Sequence, residues 1–127
     1  MNSDLNTSKH WFSKGLEYAK LGFPDKAAKH FEKAAWLDSE NFEIQFNLGT
    51  AYLSMGMFEQ ALVNFDRVIK IKPKMPDAYG NRAVAYAALF EDELSENDRK
   101  RAIKYGAPPQ GLEAVISHVK SIRKKEE

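Results

Sequence analysis

Small side chains recur in this chain at one fixed interval. Gly15, Gly49 and Ala83 follow one another by 34 residues, and so do Tyr18, Tyr52 and Tyr86. Ala27, Ala61 and Ser95 keep the same step, as do Ala34, Val68 and Ala102, then Leu37, Ile71 and Tyr105, while Phe31 and Phe65 match in the first two units. Five series sharing one period without an insertion mark a chain built from copies of one supersecondary unit. Each copy stacks on the next because it cannot bury its apolar side alone. Residue size says how a unit closes. A small residue at Gly15, Gly49 or Ala83 lets a second helix approach the first closely, and Ala27, Ala61 and Ser95 supply the matching small face. Tyr18 against Phe31 and Tyr52 against Phe65 then fill the space beside the contact.

Helix punctuation follows the same period. Ser8 precedes the first periodic run, and Gly22-Phe23-Pro24-Asp25 interrupts it, with Pro24 tolerated at the start of a second helix. Ser39-Glu40-Asn41 and Lys72-Pro73-Lys74 close the first two units, and Pro76 opens a third pair. The pattern predicts helices over 8–21, 25–37, 42–55, 59–71, 76–89 and 94–105. After Gly106-Ala107-Pro108-Pro109, residues Leu112, Val115, Ile116, Val119 and Ile122 share one side of a seventh helix over 110–124. An open solenoid end needs such a half-apolar helix as a cap. The rival reading, a membrane-surface helix aided by Arg123, Lys124 and Lys125, would leave the end of the array bare.

Composition narrows the functions open to the chain. Nineteen basic residues against eighteen acidic ones leave a net charge of +1, which provides no global attraction for nucleic acid or an anionic surface. Cysteine is absent, so disulfides, thiolate nucleophiles and Cys-based zinc sites are excluded. His10, His30 and His118 show no metal-ligand spacing, and Glu91-Asp92-Glu93 lacks the alternating ligands of a calcium loop. No phosphate loop or nucleophile elbow occurs. These features predict no catalysis, no cofactor and no metal. With no apolar run of membrane-spanning length and no signal-like segment, membrane insertion is not expected and a cytoplasmic location is.

The pattern resembles the tetratricopeptide repeat family. Phe42 to Met75 carries Leu48-Gly49, Tyr52, Gly56, Ala61, Phe65 and Pro73 where that repeat places them. The first unit carries Trp11, Gly15, Tyr18, Gly22, Ala27, Phe31 and Ala34, with Lys14 at a usually aliphatic position. The third departs most: Phe90 replaces the loop glycine, and Arg99 stands where an aromatic is expected. The resemblance implies an all-α, α-α superhelix (solenoid) of three antiparallel helical hairpins plus a C-terminal capping helix. It divides the chain into an N-terminal tail (1–7), repeats at 8–41, 42–75 and a degenerate 76–109, and a cap and tail at 110–127. It further implies a concave groove, lined by the first helix of each pair, that holds a peptide or helix of a partner protein.

Helical spacing places Lys9, Phe12, Leu16, Glu43, Phe46, Asn47, Thr50, Leu53, Asp77, Asn81 and Val84 on the groove side. Phe12 and Phe46, one period apart, are expected to form an apolar strip with Leu16, Leu53 and Val84 that anchors a partner's apolar side chains, unless they turn inward as core. The Asn47 and Asn81 amides are placed to bond an extended ligand's backbone. One groove type in the resembled family grips acidic C-terminal tails of heat-shock chaperones with basic and amide side chains. Here only Asn47 fits, and Asp77 and Glu43 would repel such a tail. The expected function is a protein-binding or assembly-scaffold module. The alternatives are a self-assembling homo-oligomer, a homodimer included, or weak nucleic-acid contact through a basic corner made by Arg99, Lys100, Arg101, Lys104 and Arg123 to Lys125. Asp98 and the terminal Glu126-Glu127 weaken that corner, and nucleic acid is not the expected partner. Two outcomes are expected. Replacing Phe12 and Phe46 together by alanine should abolish partner binding with helix content intact, checked by circular dichroism and a binding assay. Gly49→Leu should cost about 1–3 kcal/mol by overpacking, checked by urea unfolding.

Overall fold

The computed structural model describes residues 7–125, with side chains to 123. Most of the expected N-terminal tail, and residues 126–127, lie outside that range. The described residues form seven helices and no strand: α1 Ser8–Lys20, α2 Pro24–Leu37, α3 Phe42–Ser54, α4 Phe58–Ile71, α5 Pro76–Ala88, α6 Asp92–Lys104 and α7 Pro109–Lys125. The largest departure from the expected bounds is α6, which starts two residues early at Asp92. α1 pairs with α2, α3 with α4 and α5 with α6. α3 then packs on α2 and α5 on α4, so the hairpins stack in chain order.

Local chemistry explains the ends. Thr7, rather than Ser8, caps α1, its Oγ1 accepting from the His10 N–H at 3.1 Å. Asn41 caps α3, its Oδ1 accepting from the N–H groups of Glu43 (3.0 Å) and Ile44 (3.3 Å). Pro24 and Pro76 occupy first-turn positions of α2 and α5, where no N–H is needed. The turns inside the hairpins each need a left-handed residue, and Gly22 (φ 84°) and Gly56 (φ 75°) supply it. Phe90, one period on, adopts φ 63° despite its Cβ.

The core follows the repeat. Gly15 lies against Phe31 so closely that a Cβ there would sit 2.4 Å from the ring, and a Cβ on Gly49 would sit 2.9 Å from Phe65. Ala27, Ala61, Phe65, Ala34, Val68 and Ala102 are fully buried, and Phe31 nearly so. Tyr18 packs against the cluster of Ala27, Ala28 and Phe31 and its ring also meets His30, with centroids 5.0 Å apart, while the Phe12 ring lies 5.6 Å from that of Phe31. In the third hairpin Arg99 replaces the ring, Ala83 replaces the glycine, and the buried Ser95 hydroxyl donates to the Ala83 carbonyl at 2.7 Å.

Polar side chains tie the layers. Buried Asn64 Nδ2 donates to buried Gln45 Oε1 at 2.8 Å, and Gln45 Nε2 donates to the Ser39 carbonyl at 3.1 Å. Tyr52 Oη donates to Glu32 at 2.6 Å across the first two hairpins, and burial, then this bond, push its phenol above the usual range. One period after Asn64, buried Asp98 takes a two-pronged bond from Arg82 (2.7 and 2.9 Å). Arg82 also donates to Asp66 on α4 at 2.9 Å. The Asp98 bond outweighs the cost of burial and holds the guanidinium charged. Asp98→Ala should therefore destabilise the chain by roughly 3 kcal/mol, the low end for a broken buried pair because Asp66 remains. The midpoint and slope of urea unfolding check it.

Candidate binding groove

The 34-residue register carries through to the groove side of the first helices. Lys9, Glu43 and Asp77 form an exposed row near the N-terminal ends of α1, α3 and α5. Below it come the rows Phe12, Phe46, Gly80; then Leu16, Thr50, Val84; then Ala19, Leu53, Ala87.

These rows do not form one open strip. Phe12 stacks on Phe31 (ring centroids 5.6 Å) and Phe46 on Phe65 (6.0 Å), and both are half-buried. Truncating both rings would therefore remove core contacts as well as groove surface, so the double alanine variant does not isolate binding from folding. Leu16 is 40% exposed. Asn47 Nδ2 donates to the Glu43 carbonyl at 2.8 Å, and Asn81 Nδ2 to Thr50 Oγ1 at 3.3 Å, which links α5 to α3. The Thr50 hydroxyl donates to the Phe46 carbonyl at 2.9 Å. Each amide thus has one bond within the chain from its Nδ2.

Val84 is the clearest correction. It is buried in a cluster with Ala83, Ala87 and Ile116, against which Leu53, Leu112 and Val119 pack. The cause is α7, which lies mainly on α5 and touches α6 little. Leu112 approaches Gly80, its Cδ1 3.6 Å from where a Cβ would be. The basic corner is also dispersed. Arg99 pairs with Glu96 (2.6 Å) and with Glu113 of α7 (3.0 Å). Arg123 bonds Asp92 and the Ala87 carbonyl, its guanidinium 4.4 Å from the Phe90 ring centroid. Lys100, Arg101 and Lys104 remain exposed, and the side chains of Lys124 and Lys125 lie outside the described residues.

What stays open lies between α1 and α3. A cavity of about 340 Å³ is lined by Ala19, Gly22, Pro24, Phe31, Asn47, Thr50, Ala51 and Ser54. Its lining carries no ionisable side chain, only hydroxyl, amide and apolar groups. Of these only Asn47 and Thr50 were among the expected groove residues; Ala19, Gly22, Pro24, Phe31, Ala51 and Ser54 were not. Ala19 was within reach of the repeat arithmetic, one period before Leu53. Pro24 and Ser54 enter only because the turn of the first hairpin comes up beside α3.

Residues 42–75 match the tetratricopeptide repeat family, and the stacked hairpins have that family's fold. Residues 42–75 are a tetratricopeptide repeat, and the described chain has the fold of solved tetratricopeptide domains. It is 30% identical over 96 residues to human protein O-mannosyl-transferase TMTC3, covering 75% of this chain but 10% of that protein. Its fold is similar to the first tetratricopeptide domain of Spaghetti (RPAP3) bound to the HSP90 peptide SRMEEVD, with a TM-score of 0.80, 21% identity, and coverage of 91% of this chain and 92% of that one. It is also similar to YrrB, described as a tetratricopeptide protein with an unusual peptide-binding site, with a TM-score of 0.76, 25% identity, and coverage of 91% and 57%. No helix among the described residues of this chain is long and apolar enough to cross a membrane.

Proposed function

We propose that this tetratricopeptide module binds a peptide or short helix of a partner protein in the open part of its groove, between α1 and α3, with no catalysis of its own. The observation that carries the reading is the neutral cavity of about 340 Å³; Leu16, 40% exposed, precedes its lining residue Ala19 by about one turn of α1. Such a site seats an apolar side chain and bonds a backbone through hydroxyls and amides without selecting for charge. Peptide binding by structures of the same fold supports it. The ligand differs from an acidic tail. Leu16 and Phe12 stand where a charged tail would need cations or amides, and the exposed Glu43 and Asp77 repel it.

A second reading, a homo-oligomeric scaffold, is favoured by Trp36, which is 86% exposed on α2. Sedimentation of wild type and Trp36→Ser over a concentration series separates the two: a mass that rises in wild type alone supports assembly.

For the groove, peptides selected from a random display library on the wild-type chain are titrated against Leu16→Glu by fluorescence anisotropy. Binding should weaken at least about tenfold, equivalent to about 1.4 kcal/mol, with an unchanged melting temperature because Leu16 is not core. Affinity should also change little between about 0.1 and about 0.5 M salt, since the contacts are apolar. Equal affinity for both chains would remove the groove assignment.

A further inference from the structure

The last helix does not sit where the repeat would put it. α3 packs on α2 and α5 on α4, so a helix continuing the ramp would pack on α6; α7 instead lies along α5. The residues it covers there, Gly80, Val84 and Ala87, are the third-hairpin counterparts of Phe12, Leu16 and Ala19, and of Phe46, Thr50 and Leu53. α7 therefore occupies the groove wall itself.

The third hairpin is shaped for this occupant. The ring pairs Phe12–Phe31 and Phe46–Phe65 of the first two hairpins become Gly80 and Arg99 in the third, and both replacements meet α7. Leu112 comes against Gly80, where a phenylalanine ring would leave it no room, and Glu113 accepts from Arg99 at 3.0 Å. The same two substitutions that make the third repeat irregular thus make a helix-binding surface. The docking is light. Among the described side chains of α7 only Ile116 is buried, at 6% exposure, Leu112 and Val119 are half-buried, and Val115 and Ile122 are exposed. Its ion pairs, Glu113 to Arg99 and Arg123 to Asp92, each have a half-exposed carboxylate (55% and 49%) that solvent screens, while the Arg99 and Arg123 side chains are 20% and 11% exposed. A joint through Gly106 (φ 120°), Ala107 and Pro108 connects it to α6.

We propose that α7 is an exchangeable occupant of the groove. The groove face of α5 is a site for an amphipathic helix bearing apolar residues at i, i+4 and i+7 and a cation at i+11, as Leu112, Ile116, Val119 and Arg123 present them. A partner helix of that pattern displaces α7 and extends the binding surface from the α1–α3 cavity to the third hairpin. This rests on the reading that the groove is the binding face.

The test uses the full chain and a fluorescein-labelled synthetic peptide of residues 107–125 as probe. Glu113→Ala with Arg123→Ala removes the two ion pairs that tie α7 to α6 and the Arg123 bond to the Ala87 carbonyl. Amide exchange in α7 should then rise while α5 stays protected, and the peptide should bind at least about tenfold more tightly than to wild type. If these changes leave α7 exchange unaltered, Ile116→Ser is used and the same results are read. A loosened α7 without peptide binding makes it a permanent cap and overturns the proposal. So does exchange rising in α5 and α7 together, which makes α7 part of the core. Peptides lost in Leu16→Glu are read separately: if they bind while the α7 peptide does not, this proposal fails and the α1–α3 groove stands.

Discussion

Each of the first two hairpins closes on a phenyl ring pressed against bare helix backbone. At Gly15 and Gly49 the nearest ring atoms lie where a Cβ would be, at 2.4 and 2.9 Å, so the two helices approach to a distance that no larger residue permits. The contact is dispersion at close range, which falls off steeply with any added gap. It sets the separation of the helices within a hairpin, and stacking identical hairpins propagates that separation along the chain. Groove rows one period apart can line up only because this spacing repeats.

The third hairpin shows what happens when the ring is absent. Arg99 cannot fill the space of Phe31 or Phe65, so Ala83 takes the place of glycine, and Ser95 bonds the Ala83 carbonyl across the remaining distance. A related substitution runs through the row His30, Asn64 and Asp98. His30 stacks against Trp11, Asn64 bonds Gln45, and Asp98 grips Arg82. One position in the repeat thus receives an aromatic, an amide and an ionic solution in turn. Contacts between successive hairpins, Tyr52 to Glu32, Asn81 to Thr50 and Arg82 to Asp66, are equally unlike one another. Near-identical units are thereby given different partners at each successive joint.

Function follows from where the regularity ends. Phe12 and Phe46 lean onto the core rings, Leu16 stays at the surface, and the hairpin turn at Gly22 and Pro24 walls off a neutral cavity beside α3. At the other end α7 fills the equivalent rows. One groove is therefore open over the first two hairpins and occupied over the third. Phe90 is part of this asymmetry. It holds a left-handed conformation that glycine fills in the other two turns, and its ring lies under Arg123 of the docked helix.

Most of the architecture was legible in the residues alone. A period of 34, small residues on it, and prolines and polar caps at the breaks determine helix number, helix pairing and the all-α superhelix, because each depends on contacts between positions at fixed spacing. The apolar face of the last helix was legible for the same reason. The partner of that face was not. Whether α7 lies on α6 or on α5, whether Phe12 faces solvent or Phe31, and whether Arg99 and Arg123 offer free charge or spend it on Glu113 and Asp92 depend on how rigid pieces meet in three dimensions. Helical periodicity tells which side of a helix a residue is on. Only the packed structure decides what arrives to cover it.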